Sequence, residues 1–203
     1  MTDFIILPGS GGSGEAHWQT RWQQANPAMR RFSPASWDLP DFDDWLAALE
    51  TAVSQATAPP VLIAHSLSCL LVAHWQLQSS REIAGAFLVA VPDPASPVYP
   101  AYGIPFADTP RGPLRFPSLI VASTDDPYDP HGYARAKAGQ WGSALHSAGP
   151  LGHINSDSEL GDWPQGMALL TAFVRGIELK GDGRASADAA GRSSSHNVLN
   201  SGG

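Results

Sequence analysis

Short, unbroken apolar runs alternate with longer amphipathic stretches along most of the chain. Phe4-Ile5-Ile6-Leu7 ends at Pro8-Gly9, Val61-Leu62-Ile63-Ala64 follows Pro59-Pro60, Ile83 to Val91 ends at Pro92, and Ser118 to Ala122 follows Pro117. Continuous runs, unlike a strict alternation of apolar and polar residues, suit strands covered on both faces. Weaker runs at Arg30 to Phe32 and Ala144 to His146 supply a second and a sixth strand. Between the runs, Glu15 to Asn26 sets Trp18 and Trp22 one helical turn apart, and Asp41 to Ala56 gathers Trp45, Leu46, Leu49 and Val53 on one face. Leu67 to Leu77 is apolar almost throughout, as a buried helix would be, and Asp162 to Ile177 carries Met167, Leu170 and Val174 at helical spacing. Six strands and about five helices in this order predict an α/β domain over residues 1–178, a three-layer, doubly wound parallel sheet. Residues 179–203 are small and polar, with almost nothing to bury, and predict a flexible tail.

Composition narrows the classes of function. A net charge of −7 with only two lysines, Lys137 and Lys180, lacks the basic surface that nucleic acids or anionic membranes attract, so neither is an expected partner. The single cysteine, Cys69, makes no internal disulfide and no cysteine-rich zinc site, and no metal or organic cofactor is called for. No apolar run approaches the ~20 residues needed to cross a bilayer. The start, Met1-Thr-Asp-Phe, has no basic segment before its short apolar run, so a cytoplasmic protein is expected.

Doubly wound sheets bind ligands beyond the carboxyl ends of their strands, so polar residues there carry the chemistry. After the third strand, Ala64-His65-Ser66-Leu67-Ser68 leads at once into the apolar helix. This is a small-x-Ser-x-small form of the nucleophile elbow, the tight strand-to-helix turn that lifts a serine hydroxyl above a sheet. A serine hydroxyl is a weak nucleophile without a base. After the sixth strand, Gly149-Pro150-Leu151-Gly152-His153 offers one. A carboxylate must then orient the imidazole, and Ser123-Thr124-Asp125-Asp126-Pro127-Tyr128-Asp129-Pro130 follows the fifth strand. Asp126, biased toward extended backbone by Pro127, is the candidate, while Asp125 and Asp129 read as turn residues. The chain order Ser66, Asp126, His153 is that of α/β-hydrolases.

The first strand ends in Pro8-Gly9-Ser10-Gly11-Gly12-Ser13-Gly14. In a hydrolase this loop would lend the Ser10 amide, beside that of Leu67, to an oxyanion hole. The same glycines match the Gly-x-Gly-x-x-Gly spacing of dinucleotide-binding loops, so a nucleotide-binding protein is an alternative, as is a non-catalytic binding module on a hydrolase scaffold. The dinucleotide reading leaves the serine, acid and histidine unused.

Together, Leu7-Pro8-Gly9-Ser10-Gly11-Gly12, His17-Trp18, His65-Ser66, Ser123-Thr124-Asp125-Asp126-Pro127 and Gly152-His153 resemble the small serine hydrolases related to the retinoblastoma-binding serine hydrolase and its bacterial YdeN-type relatives. The resemblance implies a compact α/β-hydrolase fold without a large lid, strand order 2-1-3-4-5-6, and hydrolysis of a small ester, or an amide or thioester, through an acyl-enzyme on Ser66 with Asp126 and His153. It also places His17 near the pocket, as a substrate-binding residue or a structural one. His65 either caps its strand or lines the pocket. Ala64 and Ser68 stand where glycines are usual in the wider fold, and the Leu-x-Cys-x-Glu motif is absent, so a retinoblastoma-type partner is not implied. The proline- and tyrosine-rich stretch from Pro92 to Phe116 is expected to cover the pocket in place of a lid.

Overall fold

A computed structural model describes residues 2–195, with side chains through Leu179. Six parallel strands, β1 (Phe4–Leu7), β2 (Met29–Arg31), β3 (Val61–His65), β4 (Gly85–Val89), β5 (Ser118–Ala122) and β6 (Ala144–Ser147), form one sheet in the order 2-1-3-4-5-6. Five helices connect and cover them: α1 (Trp18–Ala25), α2 (Phe42–Ser54), α3 (Leu67–Gln78), α4 (Tyr133–Trp141) and α5 (Pro164–Ser195). No helix among the described residues is long and apolar enough to cross a membrane.

The period of two along each strand divides the interior into two cores. Ile5 and Leu7, Leu62 and Ala64, and Ala86 and Leu88 face α2 and α3, whereas Ile6, Val61 and Ile63, and Phe87 and Val89 face α1 and α5. Strands buried on both faces need apolar side chains at every position, which is why their sequences read as unbroken runs. On the second face Trp18, Trp22 and Trp163 form a cluster with ring centroids 4.5 to 5.8 Å apart. The tryptophans of α1 are thus core residues. Gly85 lets α5 lie close over β4: a Cβ there would meet Ile177 Cδ1 at 2.7 Å and the Pro117 carbonyl at 3.0 Å.

Element ends differ from the pattern where turns or caps intervene. α1 begins at Trp18 instead of Glu15 because the His17 N–H bonds back to the Gly14 carbonyl in a preceding turn, and His17 then caps the helix. α2 begins at Phe42 because Asp41 is its cap, accepting from the Asp44 N–H. α4 is the helix that apolar periodicity did not mark. Both its ends are left-handed glycines, Gly132 and Gly142, and its buried face includes Lys137, whose ammonium lies 5.1 and 5.4 Å from the ring centroids of Tyr133 and Trp141. The backbone of α5 carries the helix past Ile177 into the stretch read as tail, as far as Ser195. The run of alanines in Arg184-Ala-Ser-Ala-Asp-Ala-Ala-Gly favours that conformation. Residues 196–203 of the expected tail lie outside the described residues.

Candidate active site

The order 2-1-3 makes the chain reverse direction across the sheet between β1 and β3, and the crevice at their carboxyl ends is where the singled-out residues converge. Ser66 lies between the last residue of β3 and the first of α3 with φ 54° and ψ −124°, a strained conformation for a side-chain-bearing residue. Its N–H donates to the Val89 carbonyl of the neighbouring strand. A Cβ on Gly9 would lie 2.9 Å from Ser66 Cβ and 3.2 Å from the His65 carbonyl, so the glycine loop presses against the turn that carries the serine. At the elbow's two non-glycine positions, Ala64 is fully buried and Ser68 turns its hydroxyl to the Pro8 carbonyl at 2.6 Å, tying α3 to the same loop.

His153 Nε2 lies 2.8 Å from Ser66 Oγ, and His153 Nδ1 lies 2.9 Å from both oxygens of Asp126. Asp126 is 4% exposed and His153 is 8% exposed, so this line of hydrogen bonds runs largely out of water. The Tyr128 N–H donates to Asp126 Oδ1, fixing the carboxylate from behind, and the Tyr128 ring packs 4.3 Å from the imidazole. Asp125 and Asp129 act as turn residues. Asp125 accepts from Ser123 Oγ and from the Gly152 N–H, bonds that hold its pKa below the ordinary value and hold the histidine loop in place. Asp129 accepts from the Tyr133 and Ala134 amides at the start of α4, and burial raises its pKa in spite of those bonds.

The bonds that fix the glycine loop do not use the Ser10 amide. The Gly11 N–H donates to the Trp37 carbonyl, the Gly12 N–H donates to the Gly9 carbonyl, and Arg31 Nη1 donates to the Gly12 carbonyl at 2.7 Å. Gly11 and Gly12 have φ of 81° and 76°, which glycine adopts without strain. Among the described residues, no carbonyl takes the Ser10 amide or the Leu67 amide, the two expected at an oxyanion hole.

A cavity of about 270 Å³ joins these parts, bordered by the glycine loop, Ser66, Leu67, His153, His17 and His65. Pro92, Tyr99, Pro100 and Tyr102 close one side, so the Pro92 to Phe116 stretch does border the cavity. Tyr102 is held across the opening by the Ser10 hydroxyl, 2.8 Å from its own. Phe106 and Leu114 of the same stretch are buried in the core and anchor it.

His17 and His65 both border the cavity and both have structural bonds. His17 Nδ1 accepts from the Gln19 N–H, capping α1. His65 Nε2 donates to the His153 carbonyl at 3.0 Å. Burial lowers the pKa of each well below the ordinary histidine value, that of His17 to about 3 with smaller contributions from Arg31 and His153.

Two supporting residues were not foreseen. Gln19 is fully buried and donates through Nε2 to the carbonyls of Leu7 and Ile63, clamping β1 to β3 where the crevice opens. Trp18 Nε1 donates to the Ile154 carbonyl at 2.8 Å, so the residue after His153 is held by α1 while the carbonyl of His153 is held by His65. The one sequence signal for Gln19 was a polar residue on the inward side of an otherwise apolar helix face.

A profile of the family described as "Serine hydrolase" matches residues 4–172. Among solved structures, a YdeN-like hydrolase from Pectobacterium atrosepticum is 31% identical, with 87% of this chain and 92% of that one covered and a TM-score of 0.78. The ydeN gene product from Bacillus subtilis is 21% identical over 85% of this chain and 98% of that one, with a TM-score of 0.70. Est1E from Butyrivibrio proteoclasticus, solved with ferulic acid bound, shares the fold at 14% identity, 89% coverage of both chains and a TM-score of 0.64. A search of curated proteins found no match.

Proposed function

The chain belongs to the serine hydrolase family, and from that premise we propose that it cleaves small esters, or amides and thioesters, through an acyl-enzyme on Ser66. The observation that carries this reading is the hydrogen-bonded line Ser66–His153–Asp126 at the mouth of a small cavity. His153 Nδ1 carries its proton toward Asp126, which leaves the Nε2 lone pair facing the Ser66 hydroxyl. As Ser66 Oγ bonds to the substrate carbonyl carbon, its proton passes to Nε2 and the carbonyl electrons move onto oxygen. On this reading the Ser10 and Leu67 amides, which no carbonyl takes among the described residues, donate to that oxyanion and lower its energy. Collapse expels the leaving group, which takes the proton from Nε2, and the acyl group stays on Ser66. Water then attacks the acyl carbon, again giving a proton to Nε2, and the acid is released as that proton returns to Ser66 Oγ. Asp126, buried and bonded from behind by Tyr128, keeps the tautomer and stabilises each transient imidazolium.

Treatment with a fluorophosphonate probe tests the assignment. Wild type is expected to be labelled at a single serine and Ser66→Ala to stay unlabelled, while His153→Ala loses hydrolysis of p-nitrophenyl butyrate. Equal labelling of the two proteins, or none in a folded wild type, overturns the proposal. The groups bordering the cavity from Pro92 to Tyr102 set the size of acyl group accepted on this reading.

A further inference from the structure

His17 and His65 both border the cavity and lie against each other, with ring centroids 4.7 Å apart and the planes steeply inclined. Their hydrogen bonds fix where the ring protons are. His17 Nδ1 accepts the Gln19 N–H, so it holds a lone pair and the ring proton is on Nε2. His65 Nε2 bonds to a carbonyl oxygen and must carry the proton, which leaves the lone pair on Nδ1. Burial keeps both rings neutral, so neither assignment changes near neutral pH.

What remains is one unused donor and one unused acceptor. His17 is 3% exposed, and its Nε2–H is buried without a partner among the described residues. Buried donors in folded proteins are almost always paired, with protein, water or a ligand, so an orphan beside a cavity marks a position for an acceptor oxygen. His65 Nδ1 makes no hydrogen bond among the described residues and looks toward Gly9, where a Cβ would lie 3.5 Å from it. A carbonyl or ether oxygen satisfies only the donor, and an ammonium satisfies only the acceptor. A hydroxyl accepts and donates through a single oxygen. Among the described residues no lysine or arginine borders the cavity, so the wall does not select a carboxylate or phosphate.

We propose that His17 and His65 form a hydroxyl-binding subsite, and that the preferred substrates are small esters with a hydroxyl close to the scissile carbonyl. His17 Nε2 donates to that hydroxyl and His65 Nδ1 accepts from it. This rests on the hydrolase reading above and adds the substrate class to it.

The experiment compares substrates that differ by a hydroxyl in place of a methyl: 3-hydroxybutyrate against 3-methylbutyrate esters for the acyl side, and 2-hydroxyethyl against propyl butyrate for the alcohol side. Wild type is expected to favour the hydroxyl member of one pair by about tenfold or more in kcat/KM. His17→Asn keeps the helix cap, because asparagine accepts from the same Gln19 N–H, and removes the ring N–H. In that variant the ratio falls to within about twofold of unity, as expected when the one discriminating bond is gone. A wild-type ratio near unity in both pairs, or a ratio retained in His17→Asn, overturns the proposal. A measurement independent of that variant's folding uses 15N-histidine NMR of Ser66→Ala protein: the hydroxy ester moves the His17 Nε2–H resonance downfield and its methyl counterpart does not. Equal responses to the two overturn it as well. If wild type is neither labelled by fluorophosphonate nor active on any ester, the hydrolase reading fails, while the NMR comparison still decides the subsite.

Discussion

Asp126→Asn separates an orienting carboxylate from a residue that only fills space. Both carboxylate oxygens lie 2.9 Å from His153 Nδ1, and Oδ1 also takes the Tyr128 N–H at 2.9 Å. An amide must place oxygen at one of these positions and nitrogen at the other. With its oxygen toward Tyr128, its NH2 group faces Nδ1, and two donors cannot face each other. The imidazole then moves its proton to Nε2, where it points at Ser66 Oγ and leaves no lone pair to take the serine proton. With the amide reversed, the Tyr128 N–H is left buried opposite a donor, at a cost of roughly 1–3 kcal/mol. The first arrangement is therefore the stable one and it is inactive. A wrong tautomer in such a triad lowers kcat by about 10⁴, equivalent to about 5.5 kcal/mol of barrier. The assay is hydrolysis of p-nitrophenyl butyrate under saturating substrate, with melting temperature as the control for folding. Asp125→Asn is the matched comparison: an amide oxygen still accepts from Ser123 and Gly152, so kcat should stay within about fivefold of wild type. If Asp126→Asn retains kcat within tenfold of wild type, the hydrogen-bonded line is not the catalytic one.

Three further outcomes are expected. Gly9→Ala drives a Cβ to 2.9 Å from Ser66 Cβ and displaces the nucleophile, so fluorophosphonate labelling should slow roughly 10²-fold, and an unchanged rate would refute the close contact. His65→Phe removes the donor to the His153 carbonyl and should lower kcat on p-nitrophenyl butyrate about tenfold, with part of it restored in His65→Gln, whose amide can still donate; equal rates in the two variants would show that the bond positions nothing. His17 titrates near 3 when folded and near 6.5 when unfolded, so between those values the unfolded chain binds the extra proton and stability falls as pH drops. The contribution is complete above pH ~6.5, and its slope is at most about 1.4 kcal/mol per pH unit. Urea midpoints from pH 7 to 4 should therefore fall less steeply for His17→Asn than for wild type, and parallel curves would contradict a buried neutral ring.

The parts legible in the sequence were those with a one-dimensional signature. Strands covered on both faces must be apolar at every position, so β1, β3, β4 and β5 stood out, and the residues just beyond β3, β5 and β6 are those the structure brings within hydrogen-bond distance. α4 had no such signature because it is short, packs through alanines and a lysine stem, and takes its boundaries from two glycines. The choice among Asp125, Asp126 and Asp129 had a weaker cue, the proline after Asp126, which sets it apart from Asp125 but not from Asp129, itself followed by Pro130. The structure supplies the reason: the three carboxylates point respectively at the histidine loop, the histidine ring and the first turn of α4.

The triplet His17-Trp18-Gln19 shows what no linear pattern could carry. Side chains one apart on a helix diverge by about 100°, so these three reach different targets: the cavity, the Ile154 carbonyl, and the carbonyls of Leu7 in β1 and Ile63 in β3. The carbonyls bonded by Trp18 and Gln19 belong to segments distant in sequence, the histidine loop and the strands β1 and β3. Gln19 ties β1 to β3, His65 and Trp18 hold the successive carbonyls of His153 and Ile154, and His17 leaves one donor unspent. Among the described residues no separate cap shapes the pocket, so the residue that caps α1, His17, shares in forming its wall. Substrate preference should therefore respond to substitutions in α1 as strongly as to those in the Pro92 to Phe116 stretch that closes the opposite side.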